Sequence, residues 1–248
     1  MTLTVVPVPG LPEVAPGADL ASLVADGIAM AGIALADGDV VVVASKVVSK
    51  AEGRMVTEQP TPGAEAHRLA REVGFRPADV ELILHETTTV LRSAPGVLVT
   101  ETRQGFVCAN AGVDRSNVGQ EGAALLLPSD SDVWAGRLRD SLTQAFGVDV
   151  AVLISDTFGR PFRLGQVNVA LGISGMRAVR DYRGQVDADG YTLHGTEIAV
   201  ADEICSAAEL VMNKLDRVPV AVVRGYDYPR GDGSGQDLLR EPAQDLFR

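Results

Sequence analysis

The chain has 248 residues, 46% of them apolar, 22% charged and only 4% aromatic, which is enough for one large or two small globular domains packed by Ala, Val, Leu and Gly. Its net charge of −11 excludes nucleic acid as the main partner, because neutralising phosphates needs a basic face, but it leaves room for a nucleotide held by a few local cations. With no signal peptide, no apolar run of membrane-spanning length, and Cys108 and Cys205 outside any CxxC spacing, the chain reads as a cytoplasmic protein without a disulfide.

In chain order, Leu3 to Val8 alternates β-formers and contains Pro7, which predicts an edge strand. The Pro9 to Glu13 segment is a turn. Asp19 caps a helix predicted to reach about Leu35, with Leu20, Leu23, Val24 and Ile28 inward. Val40 to Val43 is an unbroken β-branched run, a strand buried on both faces, which opens into a loop carrying Ser45, Lys46 and Lys50. A Pro-containing linker from Gln59 to Gly63 precedes a helix from Ala64 to Val73, stopped by Gly74, and a second from Pro77 to about Glu86. Val97 to Glu101 and Gly105 to Ala109 form a hairpin, and Ala124 to Leu127 a further strand.

Ser131 is read as the cap of a helix to Phe146, with Trp134, Leu138, Leu142 and Ala145 on one face. The apolar strand Val150 to Ile154 then stops on Asp156-Thr157 and turns at Gly159, with Arg160 and Arg163 beyond. Val167 to Ile173 is a strand, and Asp187 to Gly190 a turn. Val200 to Lys214 is a helix that buries Ala201, Ile204, Cys205, Ala208, Val211, Met212 and Leu215 while Asp202, Glu203 and Glu209 point away. Val220 to Val223 is a last buried strand, followed by a Gly-rich loop from Gly225 to Gly235. Strands and helices mix without regular alternation. The fold class is therefore α+β or irregular α/β, with mixed sheets and flanking helices, and neither a Rossmann sheet nor a TIM barrel.

Four strand-end segments carry chemistry: Ser45-Lys46 with Lys50, Asp114 with Asn117, Asp156-Thr157 with Arg160, and the Gly-rich loop after Arg224. Lysines and loop amides hold polyphosphate. Aspartates on separate loops can hold Mg²⁺ or Mn²⁺ that takes its other ligands from phosphate and water. Taken singly, each group also fits a plain structural role. The lysines could be solvated charges, Asp114 a turn cap, and the Gly-rich loop a flexible joint, while the cysteines suit packing and the three histidines, His67, His85 and His194, suit helix surfaces or loops. Standard phosphate-loop and dinucleotide motifs are absent. On spacing alone, the chain is an α/β enzyme with a phosphate or metal site.

Several blocks together resemble one family. They are Gly10-Leu11-Pro12-Glu13, Ala44-Ser45-Lys46-Val47-Val48-Ser49-Lys50-Ala51-Glu52-Gly53-Arg54, Asn110-Ala111-Gly112-Val113-Asp114-Arg115-Ser116-Asn117-Val118 and Ser155-Asp156-Thr157-Phe158-Gly159-Arg160, with Ala201-Asp202-Glu203-Ile204 and Val223-Arg224-Gly225. The family is that of the coenzyme F420-0:L-glutamate (γ-glutamyl) ligases, and the resemblance spans essentially the whole chain. It implies a two-domain α/β module over residues 1–248 that forms an intertwined homodimer. In some bacteria this module is fused to a C-terminal flavin-binding domain, and this chain stops about where such a fusion would begin.

The resemblance implies a GTP-dependent amide ligase that adds L-glutamate, and further γ-linked glutamates, to the phospholactyl carboxylate of F420-0 through an acyl phosphate. It implies GTP contacts from Gly10, Leu11, Pro12, Glu13, Ser45, Lys46, Lys50, Asn117, Gly225, Tyr226, Asp227, Gly231, Asp232 and Gly233. It also implies one divalent ion on Asp114 and Asp156, a second on Thr157, and room for a monovalent cation. Arg160, with Asp156, is the expected catalytic group, and Arg160 and Arg163 are the expected contacts to the anionic coenzyme tail or to glutamate. The competing expectations are a metal-dependent phosphatase or nucleotidyltransferase built on the same aspartates, or a non-catalytic GTP-binding module serving a flavin domain.

Overall fold

The computed structural model describes residues 2–116, 118 and 122–247. Strand β1 (Thr4–Val8) leads to helix α1 (Leu20–Met30), where the Asp19 carboxylate accepts from the Ser22 amide. Strand β2 (Val40–Ala44) runs directly into α2 (Ser45–Glu52). A smaller lobe follows. It holds β3 (Met55–Val56), α3 (Ala64–Val73), α4 (Pro77–His85), the three-stranded sheet of β4 (Thr87–Ala94), β5 (Val97–Thr102) and β6 (Val107–Ala109), and β7 (Ala124–Leu125), which pairs back onto β3. The chain returns through α5 (Ser131–Phe146) to β8 (Ala151–Arg160) and β9 (Arg163–Ser174). A short ribbon of β10 (Arg180–Asp181) and β11 (Glu197–Ile198) precedes α6 (Val200–Met212) and β12 (Val220–Arg224).

The main sheet has the order β1-β12-β2-β8-β9, with only β2 and β8 parallel. Helices cover both faces, which explains why β2 reads as an unbroken valine run. Val41 and Val43 pack toward α1 and α5, whereas Val40 and Val42 pack toward α6. Successive side chains of a strand point to opposite faces, so a strand between two helical layers must be apolar at every position. Each fully buried valine contributes roughly 1.5–3 kcal/mol. The smaller lobe has its own core of Leu69, Val73, Val80, Ile83 and Leu98. The fold is a mixed α/β arrangement of several sheets, with no closed barrel among the described residues. No helix among them is long and apolar enough to cross a membrane.

Several expectations need correction. Ser45 to Glu52 is helix, not loop, because Lys46 and Lys50 stand one turn apart and Gly53 closes the segment with a left-handed cap. Asp156 and Thr157 do not end their strand. β8 continues through them to Arg160, and the chain reverses at Pro161-Phe162. Asp130, not Ser131, caps α5 through the Val133 amide, and Ala145 is exposed while Ala135 takes its place inside. Helix α1 stops at Met30, and Leu215 lies in solvent beyond α6. Asp202 does not point away: its Oδ1 accepts from the Ala170 amide at 2.8 Å, beside a β-bulge where Leu171 has no partner on β8. A bulge frees a ladder donor, and this carboxylate takes it up. The stretch from Val97 to Ala109 is not the exposed hairpin that its composition suggests: Leu98, Thr100, Thr102 and Cys108 of β5 and β6 are all buried. Both cysteines are buried packing residues, with Cys108 pushed up to about 12 by burial and by the Asp156 charge.

Candidate active site at one edge of the main sheet

Strand direction decides which loops meet. Parallel β2 and β8 both end at the edge marked by Ala44 and Ser155. Strand β12 is antiparallel to β2, with Val220 opposite Val43, so the segment entering β12 lies at that edge. Strand β1 is antiparallel to β12 and leaves the sheet there at Val8. Four stretches therefore converge: Leu11 to Val14, the start of α2, Ser155 to Thr157, and residues 212–219. They line a cleft of about 320 Å³, with Leu11, Val14, Met212, Val218 and Pro219 forming apolar wall. The carboxyl ends of parallel strands, where helices begin, are the usual place for ligands in open α/β sheets.

Helix α2 starts at this cleft without a side-chain cap, since its N-cap is Ala44. Its first amides are thus available to an anion. Lys46 projects from the first turn, and its Nζ lies 2.7 Å from Asp114 Oδ2 and 2.7 Å from Ser116 Oγ. Burial pushes the Asp114 carboxyl up, but the Lys46 and Ser116 hydrogen bonds and the Lys46 charge together bring it below the usual carboxylate range. Lys50 is buried and paired with Glu13.

Asp156 is different. Burial pushes its carboxyl up to about 6; the Thr157 amide, 2.8 Å away, and Lys46 oppose that rise, and the Asp114 charge adds to it. A carboxylate so poor in donors suits a cation ligand. Thr157 donates its hydroxyl proton to Asn168 Oδ1 at 2.7 Å and accepts from the Lys214 ammonium. Lys214 also pairs with Glu209 at 3.2 Å. Among the described residues, no cluster of three or more acidic, His or Cys side chains could enclose a metal, so a divalent ion on Asp114 and Asp156 would need phosphate and water for its remaining ligands.

The structure brings together Leu11, Pro12, Glu13, Ser45, Lys46, Lys50, Asp156 and Thr157 around the cleft, with Gly10 adjoining in sequence and Asp114 reached through Lys46. Asn117 lies outside the described residues. Two groups of expected residues do not join them. Strand β12 ends at Arg224 on the opposite edge of the sheet, so Gly225, Tyr226, Asp227, Gly231, Asp232 and Gly233 start from the wrong end. That loop packs on residues 176–178: a Cβ on Gly233 would stand 2.4 Å from the Met176 carbonyl oxygen. Its glycines are needed for close packing, and Arg230 anchors it to Asp149 at 2.6 Å.

Arg160 and Arg163 face each other at the tip of the β8–β9 hairpin, four or more residues past Asp156, which is roughly 13 Å at the rise of an extended strand. The Arg160 guanidinium donates to the Leu164 carbonyl and so closes its own hairpin. The segment from Asn213 to Pro219 was not singled out by sequence, yet it forms one side of the cleft. Only the direction of β12 could have pointed to it. A second, polar cavity of about 390 Å³ lies between the smaller lobe and the start of α5, where Arg54 and Glu86 pair at 2.6 Å.

These features define a mixed α/β protein with a polar cleft, lined by lysines and Asp156, at the carboxyl ends of two parallel strands. The family model described as F420-0:Gamma-glutamyl ligase matches residues 10–225. The coenzyme F420:L-glutamate ligase of Methanothermobacter thermautotrophicus is 43% identical over 252 residues, covering all of both chains. That of Methanopyrus kandleri is 43% identical over all of this chain and 98% of its own, and that of Methanocaldococcus jannaschii 41% identical over 86% and 85%. The chain belongs to the F420-0:gamma-glutamyl ligase family, and it is a ligase.

Proposed function

We propose that this ligase joins L-glutamate to the phospholactyl carboxylate of coenzyme F420-0 at the expense of GTP, and can then add further γ-linked glutamates. The observation that carries this reading is the juxtaposition of the uncapped start of α2, Lys46 and the under-donated Asp156 in one cleft with an apolar wall. The apolar wall suits the flat guanine base. The α2 amides and Lys46 suit the phosphates.

A carboxylate must be activated before an amine can attack it. One oxygen of the coenzyme carboxylate attacks the γ-phosphorus, the bond to the β–γ bridging oxygen breaks, and GDP leaves. The glutamate nitrogen then attacks the acyl carbon and loses a proton, the carbon–oxygen bond to phosphate breaks, and inorganic phosphate leaves with the amide formed. The protein positions the reactants and neutralises charge. A divalent ion, Mg²⁺ or Mn²⁺, held by Asp156 and Asp114 would supply further positive charge at the phosphate oxygens. Lys46 orients Asp114, and the α2 amides orient the polyphosphate.

The reading includes a homodimer. It is supported by the two-stranded arm of β8 and β9, whose tip leaves Phe162 76% and Leu164 97% exposed. Apolar side chains grouped at such a tip suit burial against a second copy.

The acyl phosphate is tested with F420-0 labelled with ¹⁸O in its carboxylate. One labelled oxygen should appear in the released phosphate, and only when glutamate is present. Unlabelled phosphate released at the same rate without glutamate would mean simple hydrolysis, as a phosphatase would give.

A further inference from the structure

The cavity of about 390 Å³ between the smaller lobe and the start of α5 is not used by the chemistry proposed above, yet it is a built polar site. Glu86 is buried, and its Oε2 accepts from Arg54 Nη2 at 2.6 Å, while Arg54 Nε donates to the Leu127 carbonyl at 3.1 Å. The Arg103 amide donates to the Glu86 carbonyl at 3.1 Å, which places a second arginine beside that pair. The walls are tied to one another. Glu52, at the end of α2, accepts from the Ser129 amide at 3.0 Å and from the Ser129 hydroxyl. The Gln104 side chain donates to the Pro128 carbonyl at 2.9 Å, and the Gln236 side chain to the Gln104 carbonyl at 3.0 Å. The cavity is thus formed before any ligand arrives, as ligand pockets usually are. A buried ion pair gains little stability over apolar residues of the same volume, so packing alone does not account for Arg54 and Glu86.

Charge decides the class of ligand. The lining carries two arginines, Arg54 and Arg103, and three carboxylates, Glu86, Asp130 and Asp132. Asp132 is spent, because it accepts from the Ile173 and Gly235 amides and from the Ser234 hydroxyl. Among the described residues Arg103 has no carboxylate partner, and Glu86 Oε1 and Asp130 Oδ2 carry no hydrogen bond. An open guanidinium and two open carboxylate oxygens in one cavity suit a ligand with both a carboxylate and an ammonium. A plain anion would meet the two carboxylates, and a plain cation would meet Arg103.

We infer that this cavity is a binding site for a free α-amino acid, with the carboxylate on Arg103 and the ammonium on Glu86 and Asp130. It is separate from the cleft. Helix α2 has eight residues and is about 12 Å long, with the uncapped amides at one end and the Glu52–Ser129 tie at the other. Reacting atoms must approach to about 3–3.5 Å, so an amino acid seated here is not the one that meets an acyl phosphate at the α2 amides. It bridges the smaller lobe, through Glu86 and Arg103, to the cap of α5, through Asp130. Neither GTP nor the coenzyme is needed for this occupancy.

The test is calorimetric titration of the full chain with L-glutamate in the absence of GTP, metal and deazaflavin. The wild type should bind saturably at millimolar concentration, and glutarate, which lacks the ammonium, about tenfold more weakly, the loss of one charged hydrogen bond. Arg103→Gln should weaken L-glutamate by a similar factor, and Arg103 is exposed, so the variant should fold. Glu86→Gln keeps an acceptor for Arg54 but removes the charge that meets the ammonium. It should weaken L-glutamate and bring glutarate level with it. Wild-type affinity for L-glutamate in either variant would overturn the inference. So would glutarate binding to the wild type as tightly as L-glutamate, or no saturable binding of L-glutamate at all. Each of these results would leave the ligase reading standing, because that reading is judged by the mass of the product.

Discussion

Lys46 Nζ lies 2.7 Å from Asp114 Oδ2, so a single ammonium ties the first turn of α2 to the loop that closes the smaller lobe. The pair joins main sheet and smaller lobe at the mouth of the cleft. It also means that Asp114 meets Asp156 across a built-in cation, which sequence spacing did not suggest, since the two are 42 positions apart and neither has a neighbouring lysine.

Lys46→Ala should therefore weaken GTP binding by about 10–100-fold, the loss expected for a charged hydrogen bond of about 1.5–3 kcal/mol, while the fold persists. Calorimetric titration of the variant is the check. Unchanged affinity would remove Lys46 from the nucleotide site.

Asp156→Asn should abolish most turnover, because one charge of the proposed metal site is gone, whereas GTP affinity without metal should hold or rise. The metal-free protein offers a separate sign. In the folded chain Asp156 keeps its proton up to about pH 6, above its ordinary value of 3.8. Between those values the native state binds more protons than the unfolded one, so stability falls as pH rises through that window and stays lower above it. Asp156→Asn removes this loss. Its Tm in chelator at pH 8 should exceed wild type by about 2–4 °C, the shift for roughly 1 kcal/mol in a chain of this size, and the gain should vanish near pH 4. A lower Tm at pH 8 would contradict the burial argument.

The Gly-rich loop gives a test of topology. Because β12 leaves the sheet at the far edge, Asp227→Ala should leave GTP affinity within twofold of wild type. A tenfold loss would mean that this loop reaches a nucleotide site after all.

For the homodimer, light scattering should give about twice 26.0 kDa, and Leu164→Glu on the exposed tip should shift the mass toward one chain. A single-chain mass for the wild type at micromolar concentration would refute the assembly.

Much of the scaffold was legible because burial imposes periodicity. The valine run of β2, the apolar stripe of α6 and the Pro77 start of α4 each follow from side-chain spacing. The course of β8 past Ile154 was not. Apart from Phe158, Ser155 to Arg160 is polar or small and lies partly on an exposed arm, so it carries the composition of a loop while its backbone remains paired with β9. The beginning of α2 was hidden for a related reason: eight residues are too few to show a helical period. Most of the cleft residues from β1, α2 and β8 could be named from motifs. The contribution of residues 213–219 could not, because it depends on β12 running antiparallel to β2, and no local pattern encodes strand direction. The same gap misdirected the reading of Gly225 to Gly233.

The most direct measurement is the mass of the product formed from F420-0, L-glutamate, GTP and Mg²⁺ or Mn²⁺. The account predicts a deazaflavin heavier by one or more whole glutamyl units, with GDP and phosphate formed in step. GTP turnover with the deazaflavin mass unchanged would contradict it.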